Sequence, residues 1–401
     1  MSIPIRLLVL STLYPSSVQP IKGVFVETRL RELLKTGAVT AEVIAPVPWF
    51  PFRGKVFGRY GAFAATPRQE VRNGIKVRHP RYFLPPRVGM NIAPGMIARA
   101  TISLVRRMLR EGFAFDLIDA HYYYPDGVAA AMVAREFGKP FVVTARGTDL
   151  NYIPDFPRPR CRILETAAAA GASIGVSRAL MDRLAALGAA PEKLHVLRNG
   201  VDLQRFEPLA QMQARKRLGM PENARLLLYV GHMIERKGQH IAVQALPLLP
   251  VDVQLAFVGD GSERERLERL ARDQGVRDRV HFFGPVAQEE LKWHYSAADA
   301  LLLCSASEGW ANVLLESMAC GVPVIATDIA GTREVVSAPA AGVLMGERTP
   351  EALARSFGEL FARLPQRPAV RAYAEQFSWD ETSCGQLALF RRVLAAHQGA
   401  K

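Results

Sequence analysis

Two carboxylates, Glu308 and Glu316, stand eight positions apart and bracket Gly309. They belong to the stretch DALLLCSASEGWANVLLESMACGVPVIATDIAGTREVV, residues 299–336. Leu301 to Cys304 is an apolar run of strand length, followed by a small polar loop, 305–309. Asn312 is suited to cap a helix from Val313 to Cys320, Gly321 to end it, and Pro323 to prevent its continuation. Val322 to Ala326 then reads as a second buried strand. In such a unit the amides of about residues 310 to 314 (Trp310, Ala311, Asn312 and Val313 among them) lack intrahelical partners. Gly309 admits a ligand close to the backbone, and the positive helix end favours an anion such as phosphate. Both glutamates can reach one molecule held there, and carboxylates accept hydrogen bonds from hydroxyls. A nucleotide-sugar, with phosphate in its middle and hydroxyls at both ends, fits that arrangement. The plain structural alternative is an acidic residue stabilising a helix start with no ligand at all.

A second cluster of charge lies upstream. The strand Arg225–Val230 is followed by Gly231, His232, Met233, Ile234, Glu235, Arg236, Lys237 and Gly238, and then by a helix from Gln239 to Leu249. Two cations in a glycine-bounded loop at a strand's carboxyl end suit a diphosphate. In the first half of the chain, the strand Phe115–Ala120 ends at His121, and the strand Pro140–Ala145 ends at Arg146, Gly147, Thr148 and Asp149. Ligands of open parallel sheets bind beyond such ends. Arg146 keeps its charge at every accessible pH, so it holds an anion rather than shuttling a proton. His121 reads equally as a cleft residue or as a hydrogen-bonded structural histidine. No D-x-D motif and no clustered His/Asp set is present, so no metal is expected. The four cysteines, 161, 304, 320 and 384, have no metal-ligand spacing and read as reduced, mostly buried thiols of a cytoplasmic protein.

The elements that must position these groups alternate. Ile5–Ser11 is strand-like, and Arg6 with the lack of a cleavage site argues against a signal peptide over Ile3–Leu13. A loop, Thr12–Gly23, leads to an amphipathic helix, Val24–Thr36, and a strand, Val39–Ala45. Asn73-Gly74 signals a hairpin between Glu70-Val71 and Ile75–Val77. Helices are expected over Gly95–Gly112, Pro125–Phe137, Pro159–Ala170, Thr349–Leu364 and Trp379–Ala396. Further strands are expected over Ala172–Val176, Leu194–Leu197, Val253–Val258 and Val280–Phe283. The pattern is α/β in two halves.

Charge separates the halves. Residues 1–200 hold 28 Lys plus Arg against 14 Asp plus Glu, or +14; residues 201–401 hold 23 against 24, or −1, which sums to the net +13. Nine Lys or Arg and one Glu lie between Arg53 and Arg87, interleaved with aromatics, within an irregular segment Pro46–Pro94. That segment reads either as a solvated excursion with its own hairpin or as a surface for anionic lipid or an anionic acceptor. No helix-turn-helix or RNA-binding strand motif is present, so nucleic acid is not an expected partner. No apolar run reaches the ~18 residues needed to span a bilayer.

The residues around the two glutamates resemble the retaining glycosyltransferases of family 4, whose signature runs S-E-G-(aromatic)-(small)-x-x-x-x-E-(small)-(apolar)-A-x-G-x-P-V. The matching positions are Ser307 to Ala311, Glu316 to Ala319, Gly321, Pro323 and Val324. The resemblance covers nearly the whole chain. Thr144–Asp149 is similar to the family's T-x-H-G-x-D, with Arg146 in place of the histidine that lies near the reacting sugar. Gly231, Lys237 and Gly238 match G-R-x-x-x-x-K-G, with His232 at the arginine's position and Arg236 able to supply the missing charge. Gly284-Pro285-Val286 resembles the turn whose backbone meets the nucleobase, and Asn199–Asp202 the junction between domains. Lys22 to Val26 resembles the loop bordering acceptor and donor phosphates, with the single glycine Gly23 where many relatives have two.

What the resemblance implies is a GT-B fold, two Rossmann-like domains facing across a cleft. Residues 1–205 would form the acceptor side and 206–378 the nucleotide-sugar side, with a final helix, about 380–397, packing back on the first domain. The implied reaction is retaining, metal-independent hexosyl transfer from a UDP- or GDP-sugar to a glycan or lipid-linked acceptor. Lys237, Arg236 and the amides after Gly309 would neutralise the leaving diphosphate, Glu308 would hold sugar hydroxyls, and Glu316 the ribose. Arg146 would stand beside the reacting sugar; Gly23, His121 and Asp149 would lie on the acceptor side. The expected place is the cytoplasm, with an anionic inner membrane face as a further partner. Competing readings are a nucleotide-sugar 2-epimerase of the same fold and an inactive lipid- or glycan-binding scaffold.

Overall fold

Short apolar runs become buried strands here because helices cover both faces of largely parallel sheets. The computed structural model describes residues 3–85 and 89–399. Arg87, the last cation of the basic segment, lies outside the described residues. The chain divides into two units, Met1–Arg198 with Asp380–Lys401, and Asn199–Trp379. The division falls between Arg198 and Asn199, a few residues before the expected 205/206 boundary.

The strands of the first unit are β1 (Ile5–Leu10), β2 (Val39–Ile44), β3 (Val47–Pro48), β4 (Gln69–Arg72), β5 (Ile75–Arg78), β6 (Arg81–Tyr82), β7 (Leu117–His121), β8 (Phe141–Ala145), β9 (Ala172–Gly175) and β10 (Leu194–Val196). Eight of them form one sheet in the order β10-β9-β8-β7-β1-β2-β5-β4. All neighbours are parallel except β4 and β5. Strand order reverses between β1 and β7, which opens a crevice beyond their carboxyl ends. The hairpin turns at Asn73 and Gly74, both with positive φ, as a tight two-residue turn requires. It is not a separate excursion: β5 joins β2, with Val77 beside Val43. β3 and β6 make a small pair of their own, beside a helix at Gly58–Ala65.

Two helices differ from expectation at their starts. The long one runs Gly89–Arg110 and carries Pro94 inside it, where the proline reads in the sequence as a boundary. The next begins at Val128, because Tyr123–Gly127 first make a wide turn. The last helix, Trp379–Gly399, sends Leu389, Phe390 and Val393 into a cluster with Leu7 and Val9 of β1 and Val39 and Val43 of β2. Truncating the fully buried Phe390 to alanine would cost roughly 3–5 kcal/mol. Two cysteines, Cys304 and Cys320, are buried, and Cys161 and Cys384 are exposed, so the thiols are less buried than their spacing implied.

The second unit holds β11 (Arg225–Val230), β12 (Val253–Val258), β13 (Val280–Gly284), β14 (Ala300–Leu303), β15 (Val324–Thr327) and β16 (Gly342–Met345). They are all parallel, in the order β13-β12-β11-β14-β15-β16. This is the doubly wound order in which β11 and β14 flank the reversal. The loops leaving those two strands are 231–238 and 304–311, the two stretches singled out for chemistry.

Candidate active site

The two loops at the reversal are knitted together. Cys304 N–H donates to Tyr229 Oη at 3.0 Å, and Tyr229 Oη donates to Lys237 O. Ala306 N–H donates to Arg236 O at 2.9 Å, and Arg236 Nη1 donates to Ser307 O at 2.6 Å. Gly238 sits at φ +75, and a Cβ there would lie 2.2 Å from Cys304 O. Only glycine lets the cation loop approach the β14 end this closely.

That approach brings Lys237 Nζ to 2.6 Å from Glu308 Oε1. Both side chains are largely buried, so this pair is far less screened than a surface ion pair. An ammonium has three donors, so Lys237 can hold Glu308 and still face an incoming anion. His232 is exposed, and its carbonyl accepts from Gln239 Nε2 at 3.1 Å. The turns after β11, β12 and β13 form a bonded series. Gly231 N–H donates to Val258 O at 2.9 Å and Gly259 N–H to Gly284 O at 2.8 Å. Gly284 and Val286 therefore stand at the same sheet edge as the cation loop.

The helix after Gly309 runs Asn312–Ala319 with Ala311 as its N-cap. Asn312 is thus not the cap: it is the first helical residue, and its Oδ1 accepts from Asn199 Nδ2 at 3.2 Å. Leu314 N–H is bonded to Ala311 O at 3.0 Å, so it leaves the expected set of anion donors. Among the described residues, the amides of Ala311, Asn312 and Val313 have no such partner. Trp310 is buried beside Phe377, with ring centroids 6.1 Å apart. Glu316 accepts from Tyr295 Oη through Oε2 at 2.8 Å. Its Oε1 has no hydrogen-bond partner among the described residues. Burial pushes the Glu316 carboxyl up to about 7, against the opposing pull of the Tyr295 hydrogen bond and Arg205.

In the first unit, Arg146 and His121 stand at the ends of β8 and β7. Arg146 Nη2 lies 2.6 Å from His121 Nδ1, and His121 Nε2 lies 3.3 Å from Asp119 Oδ2. A guanidinium can only donate, so Nδ1 accepts and the ring proton sits on Nε2, facing Asp119. Burial lowers the His121 pKa, which agrees with a neutral ring. Burial, and then the neighbouring cation Arg29, lower Arg146 to about 9, still charged at neutral pH. Its guanidinium lies 5.3 Å from the Phe25 ring centroid. Gly23 precedes that helix at φ +65, where a Cβ would fall 1.5 Å from Leu13 O. Asp149 is fully buried, and its carboxylate accepts from the amides of Tyr123, Arg146 and Gly147 at 2.8, 3.0 and 2.7 Å. His121 and Asp149, both expected on the acceptor side, are thus enclosed, in contact with Arg146 and the backbone.

Several members were not singled out in the sequence. Gln386 of the last helix accepts from Arg29 Nε at 2.8 Å and donates to Asp119 Oδ2 at 3.1 Å. Asp119 and His121 are two apart on a strand and share a face, a signal that was available. Tyr295 carried no local signal, and the sequence marks Asn199 only as part of the Asn199–Asp202 junction, not as a partner of Asn312.

The comparisons bear on both units. The profile "Glycosyltransferase Family 4" matches residues 37–205, and "Glycosyl transferases group 1" matches 211–377. The D-inositol 3-phosphate glycosyltransferase of Xylanimonas cellulosilytica is 33% identical over 364 residues, covering 84% of this chain and 87% of that protein. The putative teichuronic acid biosynthesis glycosyltransferase TuaC of Bacillus subtilis is 31% identical over 337 residues, covering 81% and 82%. The solved structure of Anabaena Alr3699/HepE in complex with UDP-glucose superposes with a TM-score of 0.72 at 21% identity, covering 96% of this chain and 98% of that one. With two Rossmann-like units carrying the paired glutamates and the Lys-Gly loop, and with these relatives, the chain belongs to the family 4 glycosyltransferases of GT-B fold.

Proposed function

We propose that the protein moves a hexosyl unit from a UDP- or GDP-sugar to a lipid-linked or polysaccharide-precursor acceptor, with retention at the anomeric carbon and no metal ion. The observation that carries this reading is the Lys237–Glu308 pair at the β11/β14 reversal, with Glu316 on the following helix. In the step itself, the bond from the anomeric carbon to the diphosphate breaks. The acceptor oxygen bonds to that carbon on the same face, and its proton passes to the departing phosphate oxygen. Lys237, Arg236 and the amides of Ala311 to Val313 meet the diphosphate charge as it develops. Glu308 holds hydroxyls of the transferred sugar, and Glu316 Oε1 holds the ribose. The Anabaena neighbour's complex with UDP-glucose supports the donor class, and the two relatives support an anionic or cell-surface acceptor.

The test is donor consumption, measured with and without acceptor extract in excess EDTA. Transfer that depends on acceptor and survives the chelator is expected. Loss in EDTA restored by manganese overturns metal independence. Epimerisation without acceptor favours the 2-epimerase reading, and no consumption at all favours an inactive scaffold.

Glu316 adds a pH signature. Its carboxyl is raised from 4.5 to about 7. Between those values the folded state keeps a proton that the unfolded chain releases. The group's stabilising share is therefore complete below the lower value and lost as pH rises through the upper one. Donor binding runs the other way, because ribose hydroxyls bond best to the ionised form. Affinity should weaken roughly tenfold per pH unit below about 7, and Glu316→Gln should flatten that slope. Calorimetry with the same slope in the variant would remove Glu316 from the donor site.

We place the enzyme at the cytoplasmic face of an anionic membrane. Trp49, Phe52 and Val56 are 54%, 59% and 87% exposed, close in sequence to the exposed cations Arg53, Lys55 and Arg59. Such cations contribute about 1 kcal/mol each near anionic lipid, and aromatics suit the headgroup layer. Among the described residues, no helix is long and apolar enough to cross a membrane. Sedimentation with anionic vesicles should weaken with salt and drop when the three cations become glutamate. Indifference to such vesicles at low salt would leave transfer to a water-soluble acceptor.

A further inference from the structure

Two polar side chains stand in apolar stripes that face each other. On the last helix, Gln386 precedes Leu389, Phe390 and Val393 by three, four and seven positions, so it shares their buried face. On β7, Asp119 lies in one row with Val9 of β1 and Val142 of β8, on the sheet face that this helix covers. Both polar residues are 1% exposed. An aliphatic pair would dock the helix here at a lower cost in desolvation, so docking alone does not account for the polar one.

The bonds of this pair run in one direction. Gln386 Oε1 accepts from Arg29 Nε at 2.8 Å, and Gln386 Nε2 donates to Asp119 Oδ2 at 3.1 Å. A guanidinium has no acceptor and a carboxylate no donor, so the amide cannot turn over. Asp119 Oδ2 also faces His121 Nε2 at 3.3 Å, and His121 Nδ1 accepts from Arg146 Nη2 at 2.6 Å. The contact between His121 and Asp119 is poorly aligned for a hydrogen bond and works mainly through charge. A carboxylate at that distance draws the ring proton to Nε2, which leaves the Nδ1 lone pair for the guanidinium. Three charged groups surround the ring: Asp119 on its own strand, Arg146 after β8, and Arg29 on the helix Val24–Lys35. Burial lowers the pKa of the ring, Asp119 opposes it, and the two cations act with burial.

We propose that Gln386 is a positioning residue for Arg146. It holds the Asp119 carboxylate against His121, which fixes the ring proton on Nε2 and aims the Arg146 guanidinium from the end of β8. That Arg146 then serves sugar transfer rests on the function proposed above; the relay itself rests on the buried contacts alone.

Two variants of the full chain separate a relay from a simple staple between helix and strand. Gln386→Glu keeps an acceptor for Arg29 but sets a second negative charge beside Asp119. The His121 ring should then bind its second proton about tenfold or more tightly. Heteronuclear NMR of the ring nitrogens reads this, with the His121 signals assigned by their loss in His121→Gln. A ring protonated at both nitrogens cannot accept from Arg146, so kcat should fall roughly ten- to a hundredfold. Affinity for UDP or GDP alone should stay within about threefold, because the groups proposed to meet the nucleotide lie in the second unit. The double variant Gln386→Glu with Asp119→Asn exchanges amide and carboxylate. It re-forms the bond between helix and strand but moves the charge off the ring, so it should regain melting temperature without regaining turnover. Unchanged ring signals in Gln386→Glu, or turnover restored by the exchange, overturns the relay. Altered ring signals with full turnover overturn its part in transfer. If the parent itself binds no nucleotide and transfers nothing, the transfer reading fails, and the ring signals alone decide the relay.

Discussion

Replacing Lys237 by alanine should lower kcat by about 10²–10³ while changing donor affinity by less than about tenfold. The leaving diphosphate carries its greatest charge in the transition state, so a cation placed for it acts more on turnover than on ground-state binding. The geometry adds a complication that also sharpens the test. Lys237 Nζ sits 2.6 Å from Glu308 Oε1, with side-chain exposures of 19% and 10%. The alanine variant strands a largely buried carboxylate, and breaking a fully buried pair costs about 3–5 kcal/mol. Some of the lost activity could then be lost structure. The double variant Lys237→Met with Glu308→Gln separates these effects, since it removes both charges and strands neither. It should regain most of the melting temperature lost by Lys237→Ala and none of the turnover. Steady-state kinetics and thermal melts on the three proteins decide it. Normal turnover in Lys237→Ala with only stability lost would make the pair a strut between the β11 and β14 loops.

That pair was legible in the sequence only as two separate motifs. Lys237 and Glu308 lie 71 positions apart, and only the strand order puts their loops side by side. Runs such as Arg225–Val230 and Val253–Val258 were readable to the residue, because a short apolar run in a parallel sheet has no competing use. Asn73-Gly74 was readable as a turn, since its chemistry is local. That its second strand would add to the main sheet was not, because pairing with β2 depends on residues more than 30 positions away. Asn312 failed as a cap for the same kind of reason: its side chain is taken by Asn199, a partner no local rule includes. Pro94 misplaced a helix start because a proline's missing donor weighs against an interior position but does not forbid it. Glu316 was readable as a candidate from its spacing to Glu308. Its raised pKa was not, since Tyr295 and the surrounding burial are tertiary.

Asp149→Ala should destabilise the first unit by about 3–5 kcal/mol, through the frame that aims Arg146. The carboxylate takes three backbone amides, those of Tyr123, Arg146 and Gly147, at 2.8, 3.0 and 2.7 Å. Hydrogen bonds to a charged acceptor are worth about 1.5–3 kcal/mol each, and they do not add fully because the three share one group. Alanine leaves the buried amides of Tyr123 and Gly147, and the half-buried one of Arg146, without the carboxylate. The loss falls where β7 and β8 end, so the segments carrying His121 and Arg146 are released together. Asp149→Asn should be milder, since one carbonyl oxygen can still accept while the new NH₂ meets an amide N–H. A single unfolding midpoint is a poor measure in a chain of two units, because a two-state treatment need not hold. Hydrogen exchange resolved at Tyr123, Arg146 and Gly147 is the direct probe. Their protection should collapse in the alanine variant and fall part-way in the asparagine variant, with transfer activity falling in the same order. Full protection of these amides in Asp149→Ala would mean that the loop holds its shape without the carboxylate, and Arg146 would then owe its placement to His121 and Phe25 alone.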